Sequence, residues 1–149
     1  FKTLPLDLAV KVQRGNGKRV MAMFSDPYCP ACRSFERELM QVSDITIYVF
    51  MFPVIRPENA DHSRGVWCSE DRAKAWLELA LRGRPPVVKT TCDNPVDKVL
   101  KLGHSLNVGS TPTMILSNGV RYKGGMSADV LRAALDEASL PAPSASDKK

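Results

Sequence analysis

Several things are missing from this sequence, and each absence closes off a class of function. No stretch of the 149 residues approaches the about 20 consecutive apolar residues that a membrane-spanning helix needs. No internal repeat is present, which excludes a solenoid or propeller. The sequence opens on Phe1 and shows no signal peptide. It is expected to be a mature or trimmed product, so that lack says little about secretion. Histidine is scarce: His62 and His104 lie far apart and read as surface or helix-end residues. There is no second C-x-x-C and no close pair of histidines, so a structural zinc site lacks half of its ligands. The net charge of +5 and the pI of about 9.2 come from Lys and Arg spread along the chain. A nucleic-acid binder would gather that charge into a patch or stripe. No nucleic-acid partner is expected.

What is present is one ordinary globular domain, 44% hydrophobic and long enough to bury a core without staples. It is organised around Asp26-Pro27-Tyr28-Cys29-Pro30-Ala31-Cys32-Arg33. An apolar run, Arg19 to Ser25, precedes this stretch, and a helical pattern follows it. Cys29 is thereby expected at a helix N-terminus, where free backbone N–H groups and the helix dipole favour a thiolate. Cys32 is one turn on, within reach of a disulfide with Cys29. Pro30 suits an early helical position, because its missing N–H would have had no partner there. Strand, turn, C-x-x-C and helix in this order point to thiol–disulfide redox chemistry ahead of zinc binding or an inert disulfide. Four cysteines allow three full connectivities. If Cys29 pairs with Cys32, then Cys68 and Cys92 are free to pair, and a lasting disulfide there points to an oxidising compartment. Arg33 either adds positive potential at the thiols or is solvated, and the sequence leaves both open.

In chain order, residues 1–7 resemble the end of something longer. Leu8 to Gln13 alternates as a strand and Arg19 to Ser25 reads as a central strand. Residues 30–42 are expected to form a helix with Phe35, Leu39, Met40 and Val42 inward and Arg37, Glu38 and Gln41 in water. Ile45 to Phe52 is a second buried strand, making a parallel βαβ unit. One long helix is expected from about His62 to Arg82, with an interruption near Gly65. A short helix over 95–103 follows, with Asn94 as its cap candidate. Thr113 to Leu116 and Val120 to Lys123 flank a Ser117-Asn118-Gly119 turn. A last helix is capped by Ser127 and buries Val130, Leu131, Ala134 and Leu135. Residues 140–149 are expected to be disordered. The fold class is α/β, with a mixed central sheet.

Thr111-Pro112 is the second half of the pattern. A proline opening a strand cannot donate to the ladder, and a cis bond explains its presence. Cis Pro112 would set the Thr111 backbone beside Cys29, where an extended substrate segment could add as a strand. Phe24 to Cys32, Trp67-Cys68, Cys92-Asp93, Gly109 to Pro112 and Leu116 to Gly119 together resemble the catalytic domain of the bacterial periplasmic DsbC/DsbG disulfide isomerases. The resemblance covers about residues 4–138.

It implies a thioredoxin-like fold over residues 8–139, with a helical insertion at about 57–107 and residues 1–7 as the end of an interdomain linker. It implies Cys29 as an exposed nucleophile, Cys32 as the resolving thiol and Cys68–Cys92 as a structural disulfide. Thr111, cis Pro112, Pro30 and Ala31 become the expected substrate contacts. The implied partners are misfolded disulfide-containing proteins and a DsbD-type membrane reductant. A homodimer would form through an N-terminal domain absent from this chain. The implied location is the periplasm, and no metal or organic cofactor is needed. Pro30-Ala31 departs from the Gly-Tyr or Pro-Tyr often found in such isomerases, and lacks the inner His of the strongly oxidising DsbA proteins. A less extreme Cys29 follows. The expected activity is isomerisation or reduction of wrong disulfides. The rivals are a DsbA-like oxidase, a thioredoxin-like reductase, a chaperone-like binder of unfolded chains and, more weakly, a zinc-binding domain.

Overall fold

The computed structural model of the chain describes residues 1–140, so the tail at 141–149 lies outside it. Five strands form one mixed sheet in the order β1-β3-β2-β4-β5. They are β1 (Val10–Arg14), β2 (Arg19–Ser25), β3 (Ile45–Met51), β4 (Thr113–Leu116) and β5 (Arg121–Lys123). β2 and β3 run parallel, joined through helix α1 (Pro30–Leu39), while β1, β4 and β5 add antiparallel. β2 is central, and the period-two alternation of its side chains feeds two cores. Met21 and Met23 point into one core, with Phe35 and Leu39 of α1, and Leu131 and Leu135 of α5 (Ala128–Ala138). Ala22 and Phe24 point into the other, where Phe24 stacks on Phe50 at 4.9 Å and meets Phe52 edge-on. Phe1, Leu4 and Leu6 pack onto this second core, so residues 1–7 lie against the domain.

The expected helix over 62–82 is two helices, α2 (Ala60–Cys68) and α3 (Arg72–Arg82). The break is at Ser69–Asp71 and not at Gly65. Asp71 caps α3 by accepting from the Lys74 N–H, an N-cap signal that outranks the glycine. Gly65 lies inside α2, where a Cβ would meet the Pro86 ring at 2.9 Å, so its glycine serves close packing and not a break. α4 (Val96–Ser105) completes the helical segment. Its Gly103 lies directly under Phe52, where a Cβ would meet Cε1 at 2.2 Å. β1 begins two residues later than expected, since Leu6–Leu8 forms a 3₁₀ turn. β5 begins at Arg121 because Val120 is taken up by the turn. Met40 and Val130, expected inside, are 47% and 57% exposed. Met40 follows the last residue of α1, and Val130 faces away from the stripe of Ala128, Leu131 and Leu135. Glu38, expected in water, is half-buried and accepts from the Ala128 N–H.

Glu36 is buried on the inner face of α1, and its Oε1 accepts from Trp76 Nε1 at 3.1 Å. Burial pushes its carboxyl up to about 7, against the Trp76 hydrogen bond and the Arg14 charge. The folded chain therefore holds this proton more tightly than the unfolded chain, whose value is about 4.3. The stability it confers is full below about pH 4 and is lost as pH rises to about 7, on the order of 3 kcal/mol in all. Glu36→Gln keeps an acceptor for Trp76 and cannot ionise. The variant should match the parent at pH 4.5 and exceed it by about 2–3 kcal/mol at pH 8. Urea unfolding at both values checks this, and an equal difference at the two pH values would refute it.

Candidate active site

The site lies where the C-terminal ends of β2 and β3 meet the start of β4. Cys29 is the N-cap of α1, with extended backbone, and its Sγ accepts from the Cys32 N–H at 3.3 Å. That bond satisfies one of the free donors of the first turn and holds the sulfur at the helix N-terminus. The Cys29 thiol donates to the Thr111 carbonyl at 3.3 Å. The Thr111–Pro112 peptide is cis, and β4 starts at the next residue. β4 is an inner strand between β2 and β5, not a sheet edge. Thr111 thus meets Cys29, Pro112 is buried behind it, and Pro30 and Ala31 are exposed on the first turn of α1.

Both thiols are free, but the expected exposed nucleophile is a correction: Cys29 is only 6% exposed, because its sulfur is tucked against Thr111. Cys32 is deeper, at 2%. Burial pushes the Cys32 thiol up to about 12, against hydrogen bonding from the Asp26 backbone and the Thr111 side chain. Of the two, Cys29 has the better access. Cys32 stays protonated at neutral pH until the neighbouring sulfur changes.

Two residues assigned no role at the thiols from sequence alone organise the turn. Asp26 is fully buried. Its Oδ1 accepts from the Tyr28 N–H, and its Oδ2 accepts from the Val54 and Ile55 N–H groups at 2.9 and 2.7 Å. One carboxylate therefore joins the turn before Cys29 to the loop after β3. An Asp two residues before an N–H donor in a Pro-containing turn is a readable Asx signal, but its reach to residue 55 is not. His62 is half-buried, and its Nδ1 is hydrogen-bonded to the Tyr28 hydroxyl. His62 does lie near a helix end, as the sequence suggests, but α2 folds back and sets it beside the motif. His104 is exposed, yet packs edge-on against Phe52 at 5.9 Å. Arg33 is half-buried: its Nε donates to the Pro27 carbonyl, and its guanidinium lies 5.9 Å from the Tyr28 ring centre.

Farther away, Cys68 and Cys92 are bonded as a disulfide, with Cα atoms 5.7 Å apart. It ties the end of α2 to the loop before α4. Among the described residues no group of His, Cys, Asp and Glu is arranged to hold a metal, and no helix is long and apolar enough to cross a membrane.

Sequence comparison matches residues 6–139 to the Thioredoxin-like domain family. The crystal structure of a disulfide interchange protein from Neisseria gonorrhoeae superposes with a TM-score of 0.87 at 37% identity, over 93% of this chain and 100% of that one. A probable thiol:disulfide interchange protein DsbC of Bordetella pertussis is 43% identical over 91% of this chain and 48% of its own length. The chain belongs to the thioredoxin-like domain family. The DsbC of Escherichia coli K12 is more distant, 27% identical over 80% of this chain and 52% of its own. The chain spans about half the length of the curated relatives it matches.

Proposed function

We propose that this domain is a thiol–disulfide oxidoreductase that isomerises or reduces wrong disulfides in periplasmic proteins. The observation that carries the reading is the placement of the Cys29 sulfur between the Cys32 N–H and the Thr111 carbonyl. The Cys29 thiolate attacks one sulfur of a substrate disulfide. A Cys29–substrate disulfide forms, and the other substrate sulfur leaves as a thiolate. Another substrate thiolate then attacks the substrate sulfur of that bond, and Cys29 leaves as a thiolate, which is isomerisation. Alternatively Cys32 loses its proton and attacks the Cys29 sulfur. The substrate then leaves reduced, and Cys29–Cys32 becomes the disulfide. Every step is sulfur exchange, and no metal or organic cofactor takes part.

Thr111, cis Pro112, Pro30 and Ala31 form the surface on which the substrate chain lies. Cys68–Cys92 is the structural disulfide of the helical insertion. Residues 1–7 lead from an N-terminal dimerisation domain, a reading supported by the half-length match to the curated relatives. A DsbD-type membrane protein supplies the two electrons that restore an oxidised pair.

A glutathione titration with thiol alkylation, read cysteine by cysteine by mass spectrometry, tests this. Cys29–Cys32 should titrate alone, at roughly −120 to −200 mV, while Cys68–Cys92 stays oxidised. Refolding of a scrambled substrate then separates an isomerase from an oxidase. A value near about −270 mV would favour a thioredoxin-like reductant. Failure of the pair to titrate would end the redox reading.

A further inference from the structure

A cavity of about 360 Å³ opens beside the Thr111 carbonyl, on the far side of the sheet from α1. Phe52, Val54, Ile55, His104, Val108 and Thr111 line it. None of its lining residues is Asp, Glu, Lys or Arg. Ile55 is 53% exposed and Val54 36%, although the loop bearing them is anchored by two hydrogen bonds to a buried carboxylate. Exposed apolar side chains on a fixed loop form a preformed surface, because little ordering entropy remains to oppose binding.

We propose that this cavity is a side-chain subsite for the polypeptide being attacked, and that it takes an apolar side chain within two residues of the target cysteine. The assignment rests on the redox reading above and deepens it. The occupant follows from covalent continuity. Any protein joined to Cys29 in a mixed disulfide has its chain beside Thr111, and Thr111 also lines the cavity. An extended chain advances about 3.3 Å per residue, so a neighbour of the target cysteine reaches the mouth. Among the described residues the Thr111 N–H makes no hydrogen bond, which leaves this backbone able to pair with that chain. Cysteines in apolar sequence belong inside folded proteins, and they are exposed when the pairing is wrong. The subsite thus directs exchange toward chains that have not buried their cores. Asp26 places both parts of the device, through Tyr28 on the cysteine side and through Val54 and Ile55 on the cavity side.

The test uses the reduced chain and short peptides whose single cysteine carries a glutathione disulfide, flanked on either side by Leu, Ser or Asp. The unsubstituted chain should deglutathionylate the Leu peptide with a kcat/KM about tenfold above the Ser peptide, and lower still for Asp. In Ile55→Asp the Leu-to-Ser ratio should fall to near one, and Ile55→Val should restore it. Equal rates for the three peptides on the unsubstituted chain, or a ratio that survives Ile55→Asp, would overturn the subsite. The peptide series needs no variant, so a folding defect cannot mask the answer. If the unsubstituted chain exchanges with none of the peptides and not with oxidised glutathione, the redox reading fails and the subsite falls with it.

Discussion

Cys29→Ser is expected to abolish disulfide exchange, lowering it by on the order of 10³-fold or more. A hydroxyl at neutral pH supplies almost no oxyanion, and Cys32 cannot replace the lost thiol. It is 2% exposed, and burial holds its proton up to about 12. Cys32→Ser should behave differently. The attack by Cys29 remains, but the internal escape is gone, so covalent complexes with substrate accumulate. Non-reducing gels and mass spectrometry of the two variants, incubated with a scrambled protein, read both results. Substantial turnover by Cys29→Ser would assign the nucleophile wrongly. Absence of trapped complexes with Cys32→Ser would remove it from the resolving role.

Asp26→Ala carries the largest expected loss of stability, about 3–5 kcal/mol. Three backbone N–H groups lose a buried acceptor, each charge-assisted bond being worth about 1.5 kcal/mol or more, and no side chain takes over. Asp26→Asn keeps one carbonyl oxygen and should recover part of the loss. Denaturant unfolding of the three proteins measures the series. Asp26→Ala within 1 kcal/mol of the parent, on the scale of ordinary surface changes, would mean that water replaces the carboxylate and that the hub is dispensable.

The sheet was legible because β2 and β3 are long apolar runs bounded by turn residues. The thiol pair was legible because Pro30 and the following helical pattern leave Cys29 only one place, at the N-cap. Thr111-Pro112 was legible because a proline at the start of an inner strand needs an explanation. Other features were hidden because they depend on distance in the chain. Nothing local says that His62 returns to Tyr28 across 34 residues, or that Asp26 holds Val54 and Ile55. Glu36 sits at a position whose neighbours Arg37 and Glu38 suggest water, yet Trp76 from α3 closes over it. The break at Asp71 is hard to read because Gly65 is the stronger local breaker by composition, while the Asp71 cap depends on a side chain that reaches the Lys74 N–H.

Gly103 gives the cavity its gauge. Phe52 rests on it with no room for even one more carbon. Any side chain in its place would push aside a ring that lines the cavity and so change the shape of the well. The shape of the well is therefore set in part on a helix that never touches the sulfur chemistry. Chains with the same cysteines could sort their clients differently through this one hidden position.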